Sequence, residues 1–225
     1  MKYDNIIQAV FVKRTNRFIA EVDVAGQRET VHVKNTGRCR ELLIPGCEVW
    51  LTAPGTADRK TKYDLVAVRK GNGLLFNIDS QAPNKVVKEW LKKQDYGRIV
   101  PEYTYGDSRI DFYMERVADP GAINRYLMEV KGCTLEVDGI GYFPDAPTKR
   151  GVKHIRELIR AQKEGYQAIL AFVIQMDGVC EVRADTDIHP EFGEAMEEAK
   201  AAGVRIWFLT CHVEPDELVI LRKLS

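Results

Sequence analysis

Apolar and polar residues alternate with period two through most of the first 80 positions. Gln8–Lys13, Arg17–Val24 and Arg28–Val33 follow this pattern, with bends at Thr15-Asn16 and Ala25-Gly26-Gln27. Gly46–Thr52, Tyr63–Arg69 and Leu74–Ile78 continue it, the last two joined through Gly71-Asn72-Gly73. Period-two alternation turns one side-chain face inward and leaves the other in water. Six short strands within about 70 residues, with a tight Gly/Asn hairpin, predict a small barrel or sandwich. Asn35–Leu42, between the third and fourth strands, reads as a polar loop or a short helical turn.

The pattern changes after Ser80. Pro83-Asn84 opens a predicted helix, Lys85–Gln94, with Val86, Val87, Trp90 and Leu91 on one stripe. Ser108–Met114 and Tyr126–Leu135 read as strands, and Lys149–Glu164 as a helix with Val152, Ile155, Leu158 and Ile159 at helical spacing. Gln167–Gln175 is almost continuously apolar, as expected of a strand covered on both faces. Glu191–Ala202 is a further helix and Val204–Leu209 a further buried strand. Strands alternating with helices predict an α/β domain with a mixed sheet. The boundary falls near Asp79–Pro83, giving domains of residues 1–80 and 81–225.

Composition removes several classes. The longest apolar run, Ala168–Ile174, is far short of the about 20 residues that cross a bilayer. Met1-Lys2-Tyr3-Asp4-Asn5 leads into strand-like sequence without the apolar core of a signal peptide, so a cytoplasmic protein is expected. Five cysteines, odd in number and without a CxxC spacing, argue against a zinc ribbon or a disulfide framework. There is no HExxH, GxxxxGK[ST] or GxSxG, and Gly139-Ile140-Gly141 runs into Tyr-Phe-Pro rather than a helix. The net charge is zero, yet it divides as +4 over residues 1–80, +2 over 81–165 and −6 over 166–225. A basic body with an acidic end points to a polyanion partner. On this reading the acidic helix Glu191–Ala202 faces away from the functional cleft.

In an alternating strand Ile110, Phe112 and Met114 share the apolar face, which leaves Asp111 on the other with Arg109 and Tyr113. In the next strand Glu129 and Lys131 stand opposite Met128 and Val130. Paired in register, the two strands present Asp111, Glu129 and Lys131 together. Magnesium is held by one or two carboxylates plus waters and substrate phosphates, and it polarises phosphoryl oxygens and lowers the pKa of bound water. A nearby lysine orients that water or balances developing charge. Bare spacing by itself fits ordinary charged strand ends better than a metal site. The following helix adds a basic polar face, with Lys149, Arg150, Lys153, Arg156 and Arg160 around His154 and Glu157. Glu102 is the auxiliary carboxylate expected at the metal, with Glu89 as a second choice. In the barrel, Phe11, Phe18 and Trp50 are candidate stacking platforms, Trp50 being equally a core residue. Lys34, Arg38 and Arg40 are candidate phosphate contacts.

Asp111 followed by Glu129-Val130-Lys131 resembles the reduced form of the PD-(D/E)xK nuclease motif. More broadly, the chain resembles the sugar fermentation stimulation protein A (SfsA) family. In the first domain the match rests on Asn35-Thr36-Gly37-Arg38, Glu41-Leu42 and Pro45-Gly46. In the second it rests on Ser108–Phe112, Glu129-Val130-Lys131 and Phe143-Pro144-Asp145-Ala146-Pro147-Thr148, running into Arg150-Gly151-Val152-Lys153-His154. The resemblance implies an OB-like barrel followed by a PD-(D/E)xK nuclease-like α/β domain. It further implies DNA binding without marked sequence preference and a link to regulation of sugar (maltose) use. Two expectations stay open. One is a Mg2+-dependent nuclease, with Mn2+ as substitute, in which Asp111 and Glu129 (with Glu102) hold the ion. There Lys131 orients water, and Arg150, Lys153 and His154 meet the phosphates. The other is a DNA-binding regulator built on the same scaffold without catalysis.

Overall fold

The computed structural model describes residues 1–55, 59–119 and 121–225. The first domain is a six-stranded antiparallel sheet of β1 (Ile6–Arg14), β2 (Ile19–Val24), β3 (Gln27–Val33), β4 (Glu48–Thr52), β5 (Asp64–Arg69) and β6 (Leu75–Asn77). Its order is β3-β2-β1-β4-β5-β6, and a parallel β3–β5 pairing through His32–Asp64 and Val33–Leu65 closes it into a barrel. The expected alternation holds: Ala9 and Phe11, Ala20 and Val22, and Val31 and Val33 are buried inside. Asn35–Leu42 forms turns without a helix.

After α1 (Ala82–Leu91) come β7 (Arg98–Tyr105), β8 (Ser108–Asp119), β9 (Ala122–Cys133), β10 (Leu135–Val137), β11 (Ile140–Phe143) and α2 (Lys149–Lys163). β12 (Gln167–Ile174), β13 (Val182–Ala184), α3 (Pro190–Ala201), β14 (Arg205–Glu214) and β15 (Glu217–Leu224) complete the chain. The main sheet runs β15-β14-β12-β9-β8-β7, parallel at β14–β12–β9 and antiparallel elsewhere; β10, β11 and β13 form a small second sheet. The architecture is therefore an OB-like barrel followed by a mixed-sheet nuclease-like α/β domain. No helix among the described residues is long and apolar enough to cross a membrane.

β12 shows why its sequence is continuously apolar. Leu170, Phe172 and Ile174 pack with Val152, Ile155 and Leu158 of α2, whereas Ile169, Ala171 and Val173 pack with Val86, Val87 and Leu91 of α1. The sheet is covered on both sides, by α1 on one face and by α2 with α3 on the other. α1 starts with Pro83 in its first turn, where the missing N–H costs no bond. α2 is capped by Thr148, whose hydroxyl accepts from Gly151 N at 3.0 Å.

The domains are joined by hydrogen bonds as well as by apolar packing. Asn77 N donates to Gln175 O at 3.0 Å, and Gln175 Nε2 returns bonds to Asn77 O and Oδ1 at 3.0 Å and to Asp79 O at 3.2 Å. Lys34 Nζ pairs with the fully buried Asp79 carboxylate at 2.9 Å. One apolar cluster contains barrel residues such as Phe11 and Leu65 together with Leu170 and Phe172 of β12. All five cysteines are free thiols.

Candidate metal-binding cleft

The β8–β9 ladder shifts register once near the hairpin, between Val117 and Asp119, and then runs unbroken to Phe112–Met128. Asp111 lies immediately beyond, on β8, and Glu129 on β9. Two features mark the place where the ladder ends. On the neighbouring strand Glu102, between the Pro101–Phe112 and Tyr103–Ile110 pairs, has φ +52°. That left-handed conformation is uncommon for a residue with a Cβ, and such strain gathers at functional sites. Alternation also resets here. Phe112 and Met114 pack with α1, but Ile110 joins Tyr113 in the cluster with α2. The expectation that Ile110, Phe112 and Met114 share one face is corrected accordingly, because the strand kinks at Asp111.

Asp111 is tied to both neighbours. Asn84 Nδ2 of α1 donates to Oδ1 at 2.7 Å, and Val130 N of β9 donates to Oδ2 at 2.7 Å. Burial, and then the negative charge of Glu129, push its carboxyl up to about 6 despite these bonds. Glu129 is only 2% exposed. Its Oε1 accepts from Lys131 Nζ at 2.6 Å and from His154 Nδ1. Burial pushes its pKa up, but the His154 bond and the Lys131 charge outweigh this and hold it below the usual carboxylate range. Its Oε2 is buried and has no hydrogen-bond partner.

His154, on the buried side of α2, is 6% exposed. Arg150 Nε donates to its Nε2 at 3.3 Å, which leaves the proton on Nδ1 facing Glu129. A chain Arg150–His154–Glu129–Lys131 therefore fixes one carboxylate oxygen and leaves the other buried without a partner. That cleft, of about 460 Å3, is lined by Asp111, Glu129, Lys131, Glu102, Arg150 and His154, together with Ser80, Asn84 and Lys85 from the start of α1.

The structure thus brings Asp111, Glu129, Lys131, Glu102, Arg150 and His154 into one pocket. Their expected roles change in two places. His154 is enclosed against Glu129 and acts as its orienting partner instead of meeting phosphate. Glu102 lies at the rim, exposed, with Arg109 Nη1 3.9 Å away. Among the described residues no three His, Cys, Asp or Glu side chains are grouped to hold a metal ion. A resident cation would therefore have two protein carboxylates, Asp111 and Glu129, with Glu102 outside that set. The donor chemistry fits such an ion: hard oxygens, one of them orphaned, and a carboxyl raised by burial and then by its neighbour's charge. Glu89 lines a different groove.

The other candidates separate by exposure. Lys153, Arg38 and Arg40 are exposed. Lys34 is committed to Asp79 at the domain seam. Phe11 is a core residue, Trp50 is buried with Arg69 over its ring, and only Phe18, at 49% exposure, stands free for stacking. No residue of α3 lines the cleft. Glu191 instead pairs with Arg156 at 3.3 Å, beside the groove along the outer face of α2. Sequence reasoning missed Asn84, Lys85 and Ser80; Pro83-Asn84 carried only a helix-start signal.

Comparison with known proteins agrees with this architecture. Residues 12–76 match the family described as SfsA N-terminal OB domain, and residues 81–217 the family described as Sugar fermentation stimulation protein RE domain. A sugar fermentation stimulation protein homolog of Desulfitobacterium hafniense is 49% identical over 221 residues, covering 97% of this chain and 94% of that protein. Its counterpart from Clostridium beijerinckii is 48% identical over 224 residues, covering 98% and 96%. The solved structure of Pyrococcus furiosus SfsA in complex with Ca2+ superposes with a TM-score of 0.85 at 29% identity, covering 100% of this chain and 97% of that one.

Proposed function

Since the chain belongs to the sugar fermentation stimulation protein family, we propose that it binds DNA and hydrolyses its phosphodiester bonds with a divalent cation, Mg2+ or Mn2+. The observation that carries this reading is Glu129. A carboxylate 2% exposed, held at one oxygen by Lys131 and His154 and unpartnered at the other, is costly unless a cation completes it. The related Pyrococcus furiosus protein is described in complex with Ca2+, a hard oxygen-seeking cation of the same class.

Asp111 and Glu129 would hold the ion. When bound, it would polarise a phosphoryl oxygen and lower the pKa of a water. Lys131, ion-paired at the cleft, balances the charge that develops on phosphate. Exposed Arg150 steadies the phosphate from α2, and Lys85 from α1. The His154 imidazole keeps Glu129 in one rotamer. Two basic surfaces flank the cleft: the stripe Lys85, Lys88 and Lys92 on α1, and Lys149, Lys153, Arg156 and Arg160 on α2. Together they form a path for a nucleic-acid backbone.

The test is incubation of the protein with single- and double-stranded DNA in Mg2+ and in Mn2+, beside Asp111→Asn prepared identically. Cleavage by the wild type alone is expected. Equal degradation by both would mark a contaminant. Binding without cleavage on any substrate would overturn the hydrolytic reading and leave a DNA-binding regulator on a nuclease-like scaffold.

A further inference from the structure

A second cavity adjoins the cleft. It measures about 340 Å3, within the range of small-molecule sites, and it lies at the seam between the domains. The two share Ser80, and the strand that carries Lys131 into the first carries Gly132 into the second. Its walls are two of the segments that set this sequence apart, Asn35–Gly37 from the barrel and Tyr142–Thr148 from the α/β domain. No role described so far uses either.

The loop Asn35–Arg38 is built rigidly. Arg14 donates to the carbonyls of Gly37, Arg38, Arg17 and Asn35 at 2.6–2.8 Å. Asn35 Oδ1 accepts from Gly37 N at 2.6 Å. Arg38 N donates to Asp145 Oδ2 at 3.2 Å, which locks the two segments together. Gly37 is required by that contact, since a Cβ there would run into the Asp145 carboxylate.

Beside the donors Arg17, Ser80 and Thr134, the cavity wall carries two acceptors held by their own contacts. Asp145 commits Oδ2 to Arg38. Gln175, 2% exposed, commits its amide N–H groups to Asn77 and Asp79, which turns Oε1 over Gly132. Gly132 keeps that oxygen accessible, because a Cβ would collide with it. Tyr142 supplies an aromatic wall. A polar slot with acceptors on its edge and a ring on its side has the chemistry that reads an unstacked base.

We propose that this cavity is a nucleobase site. It receives one base, extruded from the strand whose phosphate lies at Asp111 and Glu129, and it favours bases with an exocyclic amino group. Asp145 accepts from that amino group. Thymine, which offers O4 in its place, meets the carboxylate lone pairs and is disfavoured. The inference rests on the reading of the neighbouring cleft as a phosphodiester site.

The experiment omits both metal and phosphate, so that it does not depend on hydrolysis. Binding of deoxyadenosine, deoxycytidine, deoxyguanosine and thymidine at millimolar concentration is followed by saturation-transfer NMR on the full chain. One charge-assisted hydrogen bond gives the three amino-bearing nucleosides about a tenfold advantage over thymidine. Asp145→Asn, which keeps an oxygen for Arg38 N and turns an amide donor inward, shifts the preference toward thymidine. Asp111→Asn leaves the ranking unchanged. Equal binding of all four, no binding of any, or a ranking indifferent to Asp145→Asn would overturn the site. Absence of DNA cleavage with this ranking intact would count against the hydrolytic reading alone.

Discussion

Asp111→Asn should stabilise the metal-free protein while abolishing metal-dependent cleavage. The Asp111 carboxyl is raised from 3.8 to about 6 by burial and by Glu129. At about 1.4 kcal/mol per pKa unit, an ionised Asp111 costs the folded state about 3 kcal/mol above pH 6. Asparagine removes that cost. It forfeits about 1 kcal/mol by offering one acceptor where Asn84 and Val130 now find two. The net gain is about 2 kcal/mol, or roughly 4–8 °C in Tm for a chain of this size. The sign follows from proton binding. Between pH 3.8 and 6 the folded state holds a proton that the unfolded state has released, so wild-type stability falls as pH rises through that window. The advantage of the variant is therefore full above pH 6 and closes as pH falls toward 4. Calorimetric scans in chelator at pH 4, 6 and 8 measure it, and added Mg2+ should raise the wild type alone. A variant less stable than wild type at pH 8, or a gap that does not narrow in acid, would refute the account of the carboxyl pair.

Three further outcomes are expected. His154→Ala should weaken Mn2+ binding about 10- to 100-fold by calorimetric titration, as loss of a ligand-orienting partner does, and the effect should shrink in a Glu129→Gln background. Lys34→Met should cost about 3–5 kcal/mol in urea denaturation by stranding the buried Asp79 charge, whereas an exposed phosphate-binding lysine would cost almost nothing. Reversing Lys85, Lys88 and Lys92 to glutamate should flatten the log–log salt dependence of single-strand binding by about 2, equally for every sequence; an unchanged slope would remove α1 from the DNA path.

The barrel was legible because half-buried strands print their burial as alternation, and β12 because burial on both faces prints as an unbroken apolar run. β7 was missed for the opposite reason: Pro101 and the largely exposed residues around it suit an edge strand and leave no period. β15 did carry a signal, since Leu218 and Ile220 alternate inward, but it was not read. Asp111, Glu129 and Lys131 could be named from strand parity, although parity itself fails at Asp111. What the sequence could not show is which partner each charge finds. Lys34 and Arg38 are alike in type and close in sequence, yet one is held by a buried aspartate and the other is exposed. His154 shares a helical stripe with Arg150, and only the depth of packing turns it toward Glu129 instead of water.

The bonds that Gln175 makes to Asn77 and Asp79 have a mechanical consequence. Only a few residues separate the end of β6 from the start of α1, and that segment is fastened to Gln175, just beyond β12, and to Lys34. These bonds oppose a swing of the barrel against the α/β domain. On the barrel's outer surface Phe18 and Arg40 are exposed. A strand bound across that surface and Glu129, under the proposed function, would be held as if in calipers. On the proposed function, the number of nucleotides between a barrel contact and a cut phosphate would then be set by the fold, readable as the length of the shortest fragment left behind.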